Sequence, residues 1–458
     1  MRRKGRKSLR ISSSLNPLVK RRTLWAKYPL HLRVVMQIYQ YKITPSGLAL
    51  FSALLIVVNM TVSPFLLSVG MWGLVGAAWW HQYTLFPEKG WGGALLRGLV
   101  QLGQKKQYLA LTLLFFVVAI SGIWSEDIHF WAGRTRIRLP FLVLPWAFAN
   151  FPSLSVRQYA VAIYSLTVVM LVLGLGSMLN FYLDADTILS GLGEGQPVPV
   201  PRQHIRFSLM MVVAILAGGW LVSKPDYWST KKERIAMGIA TGILFVILHI
   251  LSVRSALAAL YAALGFTVFR YLYLTRQWKQ GILAIVFLCC MPVVAYWRMP
   301  SLQQRVAYML YDWQHFNSKD GGENYSDSER FTSLYVGYLI WKEHPLAGVG
   351  TGDLERETQR VTDVFFPKYS ESPKLPHNQF LYILAATGVL GVLMSLWAFL
   401  YPLTFAVYRR FYLFSVFQVV IFVSFLVEYT LETSIGAAFY LFFLLWWMKM
   451  GEEMQDVS

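Results

Sequence analysis

Residues 235–252 read IAMGIATGILFVILHILS, a run of 18 residues without Asp, Glu, Lys or Arg. A run of this kind is long enough to cross the roughly 30 Å hydrocarbon core of a membrane as an α-helix. Because its hydrophobicity is continuous rather than alternating, it predicts a helix and not a strand of a barrel. A second mostly apolar run, 255–273, follows after a short connection that contains Arg254.

The rest of the chain repeats this pattern. Its 458 residues are 56% hydrophobic and only 14% charged, and the mean hydropathy is +0.45. A soluble protein of this length needs far more polar surface. The sequence therefore predicts an all-α, polytopic integral membrane protein with about 12 transmembrane helices. The predicted spans are 47–60, 62–80, 107–124, 139–153, 158–182, 205–222, 235–252, 255–273, 281–297, 379–407, 411–429 and 435–450.

Charge is distributed unevenly along the chain. The formal net charge is +18, and residues 1–46 carry 12 Lys or Arg and no Asp or Glu. Next to a first span, such a segment indicates a cytoplasmic N-terminus rather than a nucleic-acid-binding tail. With 12 spans, the basic loops 81–106, 223–234 and 409–410 fall on the same cytoplasmic side, as does the tail 451–458.

One long hydrophilic segment, 298–378, separates spans 1–9 (47–297) from spans 10–12 (379–450). It holds 9 Lys or Arg and 11 Asp or Glu, so it is close to neutral. The topology places it on the outer, periplasmic side, and long loops in compact proteins usually carry function. Within it, residues 330–343 are predicted to form a helix that Pro345 ends.

The strongest local motif stands at the end of this segment. It reads Pro376-His377-Asn378, and Gly388-Val389-Leu390-Gly391 follows after nine residues. The pattern places a titratable imidazole at the outer mouth of a long helix, and the glycines allow neighbouring helices to approach closely. The simpler alternative is a loop histidine beside a helix cap.

Two further motifs lie upstream. Ser328-Glu329-Arg330 opens the predicted helix, and His344-Pro345-Leu346-Ala347-Gly348-Val349-Gly350 closes it. These glycines lack the strand–turn–helix context of a phosphate loop, so a nucleotide site is not predicted. Ser252-Val253-Arg254-Ser255 places an arginine on the outer side, against the positive-inside preference. Arg254 could alternatively be a residue that snorkels to the interface.

Together, the three motifs resemble those of the superfamily of O-antigen ligases and O-antigen polymerases. Residues 377–391 match its ligase signature of His, then Asn, Ser or Gln, nine residues, Gly, two residues, and Gly, Thr or Tyr. In the family an arginine usually follows a serine directly, whereas here Val253 intervenes. The resemblance implies a glycosyltransferase that moves a glycan from undecaprenyl diphosphate to a lipid A–core hydroxyl, at the periplasmic face of a bacterial inner membrane.

Alternatives within the superfamily are a polysaccharide polymerase and a protein O-oligosaccharyltransferase, which differ in the acceptor. A transporter of lipid-linked glycans and a membrane scaffold are less favoured, because the outward ionisable residues collect beside one loop. The expected partners are the lipid-linked glycan, a glycan acceptor and membrane lipid, and no nucleic acid. The donor is already activated and the family is regarded as metal-independent, so no cofactor is predicted.

The chemistry of such a donor suggests roles for the residues of the motifs. Arginine forks suit a diphosphate leaving group, so Arg254 and Arg330 are predicted to bind it. His377 is predicted to act as the base for, or to orient, the acceptor hydroxyl, with a contact to the diphosphate as the alternative.

Further residues near the outer side are predicted substrate contacts, each with a structural alternative. The arginines could anchor at the membrane interface, and the glutamates could form ion pairs that position arginines. These residues are Arg134, Arg136, Arg138, Arg206, Tyr325, Asn378, Glu428 and Glu432.

Overall fold

The computed structural model describes residues 44–228, 230–315 and 326–455. Within these ranges the chain forms 20 α-helices and no β-strand, which confirms the predicted all-α class. Tyr325 and most of the basic segment 1–46 lie outside the described residues.

The helices are numbered here in chain order. They are α1 Pro45–Val62, α2 Pro64–Leu85, α3 Gly90–Gln104, α4 Lys106–Leu109, α5 Leu113–Ser121, α6 Ile128–Arg138, α7 Pro140–Ala149, α8 Val156–Leu183, α9 Ala185–Gly193, α10 His204–Val222, α11 Lys231–Leu251, α12 Arg254–Thr275, α13 Trp278–Arg298, α14 Pro300–His315, α15 Ser326–Glu343, α16 Leu354–Phe365, α17 Gln379–Leu400, α18 Ala406–Arg410, α19 Tyr412–Val427 and α20 Ser434–Gln455.

Many of these helices begin at a polar cap. Ser63 both ends α1 and caps α2, where its hydroxyl accepts from the Leu66 amide and Pro64 takes the first helical position. Ser155 and Gln158 form a reciprocal capping box at the start of α8. Side-chain oxygens at these positions satisfy amide groups that have no partner within the helix.

Eight helices are long and apolar enough to cross a membrane, judged by length and composition: α1, α8, α10, α11, α12, α13, α17 with its continuation to Thr404, and α20. Two shorter apolar stretches, Lys106–Ser121 and Tyr412–Val427, coincide with predicted spans. The predicted spans 62–80 and 139–153 form α2 and α7. A polytopic membrane architecture is supported, whereas the count of about 12 spans and the outward side of 298–378 stay predictions.

Two helices form the centre of the bundle. Both α10 and α20 are largely buried, whereas α13 lies at the periphery with most of its surface exposed. Aromatic side chains of α20, including Tyr440 and Trp446, pack against Phe141 of α7 and Tyr159 of α8. This packing fixes the ends of the surrounding helices relative to one another.

One end of the bundle gathers the basic loops, and we call it the basic end; it comprises Tyr108, Arg270, residues 408–410 and Glu452. There the hydroxyls of Tyr108 and Tyr408 donate to Glu452 at 2.9 and 2.5 Å. The opposite end, which we call the site end, holds the α11–α12 junction, the start of α10, α15, the start of α17 and the end of α19. The separation agrees with the charge pattern of the sequence.

Helix α17 is broken at Gly388, which has a φ of 65°. A regular helix would join the amides of Val389 and Leu390 to the carbonyls of Ala385 and Ala386. Instead, the Ala385 carbonyl accepts from the Val349 amide at 3.1 Å, and the Ala386 carbonyl accepts from the Gly350 amide at 2.9 Å. The Val389 and Leu390 amides donate to the carbonyls of Pro345 and Leu346 at 3.0 and 3.4 Å. The segment 345–350 therefore fills the break with its own backbone, and this is a structural role for the glycine-containing motif.

Candidate functional site

A cavity of about 220 Å³ opens at the site end, between the α11–α12 junction, α14, α15 and the segment before α17. Its lining includes Arg254, Arg330 and His377, the three residues predicted as catalytic, and thus brings the three motifs together. Arg305 and Lys374 line it as well. These four cationic side chains outnumber Glu329, the one acidic residue among the described residues that line the cavity, so the site attracts anions.

Arg254 is the first residue of α12 and is held by a carboxylate. Its two terminal nitrogens donate to the two oxygens of Asp327, both at 2.5 Å. Asp327 stands at the start of α15, where its amide donates to the buried Asp312 of α14 at 2.8 Å. This bidentate geometry orients the guanidinium, and with 30% of its side chain exposed Arg254 remains accessible from the cavity.

Arg330 lies one turn further along α15. Its Nη2 donates to Oε1 of Glu428 at 3.3 Å, the guanidinium's one hydrogen bond among the described residues. Glu428 ends α19, and its side chain is only 8% exposed. In this structure Glu428 thus positions the guanidinium of Arg330, and contact of Glu428 with a substrate stays a prediction. Since a guanidinium has five N–H donors, most of those of Arg330 remain available to a ligand.

Arg305, on α14, is a buried cation of the cavity. It donates to the carbonyls of Gly195 and Gln196 at 3.0 and 2.9 Å. Burial, and then the positive charge of Arg254, lower the pKa of Arg305 to about 10. It therefore remains protonated at neutral pH and adds to the positive charge of the cavity.

His377 immediately precedes the cap of α17 and is tied to α15. Ser333 donates its hydroxyl proton to the carbonyl of Arg330 at 2.7 Å. The Ser333 oxygen therefore accepts from the His377 amide at 3.2 Å and from its ring Nδ1 at 3.3 Å. The contact with Ser333 favours the tautomer that carries its proton on Nδ1, in which Nε2 is the accepting nitrogen.

The same surroundings keep His377 neutral. Burial, followed by the positive charges of Arg330 and Lys374, lowers the pKa of the imidazole from 6.5 to about 4. Desolvation and neighbouring cations both disfavour the imidazolium. At neutral pH the ring is therefore able to accept a proton.

A second polar cluster lies beside the cavity and is largely buried. Arg138 forms a buried ion pair with Glu432, and Gln379 donates to the same carboxylate at 2.8 Å. Arg134 donates to the main-chain carbonyl of Glu432 at 2.9 Å. These contacts join α6, α17 and the turn before α20. Glu432 thus pairs with Arg138 in this structure, and substrate contact by this cluster stays a prediction.

The remaining predicted substrate contacts have separate surroundings. Arg206 is 6% exposed near the start of α10 and donates to Gln203. Arg136 is exposed on α6. Asn378 caps α17 by accepting from the Leu381 amide at 2.9 Å, and its Nδ2 donates to the Leu426 carbonyl. None of the three lines the cavity, and Tyr325 lies outside the described residues.

Arg305 and Lys374 were not marked by any sequence motif. Both are cations within the segment 298–378, and that position was the available signal. Arg305 reaches the cavity because α14 packs over the α9–α10 connection, and Lys374 reaches it because the loop 370–377 packs on α15. No local sequence pattern predicts either of these tertiary contacts.

The fold and the cavity define a class: a polytopic α-helical membrane protein with a cationic site at one end of its bundle. Residues 239–396 match the Wzy_C family model, described as O-antigen ligase. This segment is similar to the O-antigen ligase superfamily, whose members are membrane glycosyltransferase-like enzymes. The matched segment contains Arg254, Arg330 and His377. No curated protein matches the chain.

Proposed function

We propose that this protein is an O-antigen ligase-type glycosyltransferase. It moves a glycan from undecaprenyl diphosphate to a hydroxyl of a lipid A–core acceptor at the periplasmic side of the inner membrane, without metal or ATP. The observation that carries the proposal is the cavity in which Arg254, Arg305, Arg330 and a neutral His377 meet. The family supports lipid-linked glycan and lipid A–core substrates in general.

The cations suit the leaving group of this reaction. When the bond between the anomeric carbon and the phosphate oxygen breaks, its electron pair stays on undecaprenyl diphosphate as negative charge. Arg254 and Arg330 offer phosphate oxygens the N–H donors that their carboxylate partners leave unused, and those partners hold the guanidinium groups in place before the donor arrives. Arg305 raises the positive potential of the cavity from a buried position.

His377 suits the acceptor side. A new bond forms between the acceptor oxygen and the anomeric carbon, and the hydroxyl proton passes to Nε2 of His377, the ring nitrogen that does not contact Ser333. The diphosphate leaves with the electron pair of the broken bond, so charge and protons balance without a further reactant. Ser333 holds the ring through Nδ1 and keeps Nε2 as the accepting atom.

The test is direct. Purified protein is incubated with undecaprenyl-diphosphate-linked glycan and lipid A–core, without metal or ATP, and the joined product is sought on a gel. His377→Ala, Arg254→Lys and Arg330→Lys are expected to lower the rate by about 100-fold or more, since lysine does not reproduce a bidentate contact. Arg356→Lys is the matched control, because Arg356 pairs with Glu126 outside the cavity. Full activity of all three site variants would contradict the proposal.

Other outcomes identify the alternatives. A ladder of lengthened lipid-linked glycan indicates a polymerase, and a glycan joined to protein indicates an oligosaccharyltransferase. A transporter leaves every acceptor unchanged. The broken helix α17 is a feature that transporters also use, but here the segment 345–350 fills the break, so it does not form an open midplane site.

A further inference from the structure

A second cavity, of about 800 Å³, lies at the basic end and so on the other side of the bundle from the candidate site. The second half of α12, the end of α17 and the first half of α19 form it. Glycosyl transfer as proposed above makes no use of this space. Binding of a ligand in this cavity is therefore independent of the proposed glycosyl transfer.

The walls of this cavity are apolar and open to the surroundings of the bundle. Phe269, Leu274 and Leu400 line it with 67%, 65% and 48% of their surface exposed. On a membrane-spanning helix such surfaces contact hydrocarbon chains rather than water. The walls therefore suit a ligand with a hydrocarbon portion.

The rim carries positive charge without compensation. Arg270, Arg409 and Arg410 line the cavity, and no Asp or Glu is among its described lining residues. Arg270 is fixed in place, because it donates to the carbonyls of Arg409 and Arg410 at 3.2 and 2.5 Å. Three guanidinium groups beside an apolar cavity match a ligand that has an anionic head and an apolar tail.

Gln418 adds a second, independent feature of the cavity. Its side chain is 4% exposed, and its Nε2 donates to the carbonyl of Phe399 at 3.1 Å. Its Oε1 is buried and has no hydrogen-bond donor among the described residues. Gln418 therefore ties the α19 wall of the cavity to the end of α17 and leaves one buried polar atom at that wall without a donor.

We propose that this cavity binds one anionic phospholipid from the leaflet at the basic end. Its phosphate lies among Arg270, Arg409 and Arg410, and its acyl chains lie along α12 and α19. Basic pockets between transmembrane helices are suited to anionic lipid headgroups. Phosphatidylglycerol fits this description.

Native mass spectrometry of the full-length protein in detergent tests the proposal. Phosphatidylglycerol and the zwitterionic phosphatidylcholine are titrated separately against the wild-type protein and against the double variant Arg409→Gln/Arg410→Gln. The wild type is expected to bind one phosphatidylglycerol in preference. The double variant is expected to bind it about 30-fold more weakly, or about 2 kcal/mol, from about 1 kcal/mol for each lost cation.

A matched control separates a built site from general surface charge. Lys231→Gln/Lys232→Gln removes two exposed cations at the start of α11, outside the cavity, and is expected to leave the affinity unchanged. Equal losses in the two double variants, or no preference for phosphatidylglycerol in the wild type, would overturn the proposal. Displacement of phosphatidylglycerol by neutral polyprenol, with polyprenol binding unaffected by the arginine variant, would assign the cavity to a polyprenyl chain instead.

A second variant keeps the test decisive if the arginine variant does not fold. Val419→Trp fills the cavity from α19 without a change of charge. It is expected to abolish binding of phosphatidylglycerol while the protein still elutes as a folded species on size exclusion. Unchanged binding in this variant contradicts the placement of the acyl chains.

Discussion

At the scale of single residues, the candidate site is a cluster of like charges held together by carboxylates at its edge. Asp327 fixes Arg254 and Glu428 positions Arg330, and both acids belong to helix ends. Mutual repulsion of the cations is thereby reduced before any substrate is present. A donor diphosphate completes the neutralisation, so its binding is expected to weaken as ionic strength rises.

The protonation of His377 gives the first prediction. Since its pKa is lowered to about 4, kcat/KM is expected to stay level from neutral pH down to about 5 and to fall with a midpoint near 4. Below that midpoint the ring is protonated and no longer accepts the proton of the acceptor. The pH profile of purified protein with saturating acceptor measures this.

Lys374→Gln is the companion variant for that profile. It removes a positive charge that disfavours the imidazolium, so the midpoint is expected to move upward, toward the ordinary 6.5. A wild-type midpoint near 6.5, or an identical profile in the variant, would show that His377 does not carry the acid limb.

The sequence identified part of this site at the residue scale. Arg254, Arg330 and His377 each stand in a motif, and all three line one cavity. Arg305 and Lys374 stand in no motif, because a cation in a hydrophilic segment is common and its destination depends on tertiary packing. Arg136 illustrates the converse case: it is a cation beside a predicted span, and it is exposed outside the cavity.

At the scale of secondary-structure elements, buried ion pairs connect helices that are distant in the chain. The Glu432 carboxylate forms an ion pair with Arg138 of α6 and accepts a hydrogen bond from Gln379 of α17. The side chains of Arg138 and Glu432 are almost fully buried. Glu432→Gln is expected to destabilise the protein by about 3–5 kcal/mol, because it leaves a buried arginine without its counter-charge. Thermal unfolding in detergent measures the loss.

The control for this prediction is an exposed pair. Arg360 and Glu343 form a salt bridge with 46% and 43% of their side chains exposed. Glu343→Gln is expected to change stability by at most about 1 kcal/mol. Similar effects of the two substitutions would contradict the assignment of Glu432 as a buried structural partner.

The break in α17 gives a prediction about one glycine. A Cβ at Gly388 would lie 2.2 Å from the backbone of Leu346, and the φ of 65° already disfavours other residues. Gly388→Ala is therefore expected to destabilise the protein strongly and to lower transfer. Gly219→Ala in α10 is the control, since its Cβ would meet nothing within 4 Å and alanine favours a helix by about 1 kcal/mol. Equal melting temperatures of the two variants would contradict this account.

Elements differed in how far the sequence predicted them. The helix expected at 330–343 is present as α15, with the end before Pro345 that was predicted. The break in α17 was not predicted, because a glycine in an apolar helix also serves for close helix packing. Only the hydrogen bonds between residues 345–350 and the opened turn of α17 distinguish a glycine that breaks the helix from one that allows close packing.

At the scale of the whole molecule, the two ends of the bundle differ in chemistry. The candidate site lies at one end, and the basic loops and the larger apolar cavity lie at the other. The grouping of basic loops was predictable from charge, because positive residues favour the cytoplasmic side of a membrane. The number of spans was not, since α7 and α19 are short for a membrane crossing.

Cysteine labelling in intact cells tests the orientation. After Cys289 and Cys290 are replaced by alanine, single cysteines are introduced at the exposed Lys368 and Lys89. A membrane-impermeant maleimide is expected to label Lys368→Cys in intact cells and Lys89→Cys only after lysis. The reverse pattern would place the candidate site in the cytoplasm and would contradict a periplasmic reaction.

The backbone bonds between the segment 345–350 and the opened turn of α17 also bear on how this protein can diverge over evolutionary time. Four main-chain hydrogen bonds fix the register of two stretches that are separated by more than thirty residues of chain. An insertion within either stretch would disturb that register, whereas an insertion among the exposed residues 363–365 of the connection would leave it intact. Gly348 and Gly388 each face the backbone of the other stretch, so a side chain at either position would push the two stretches apart.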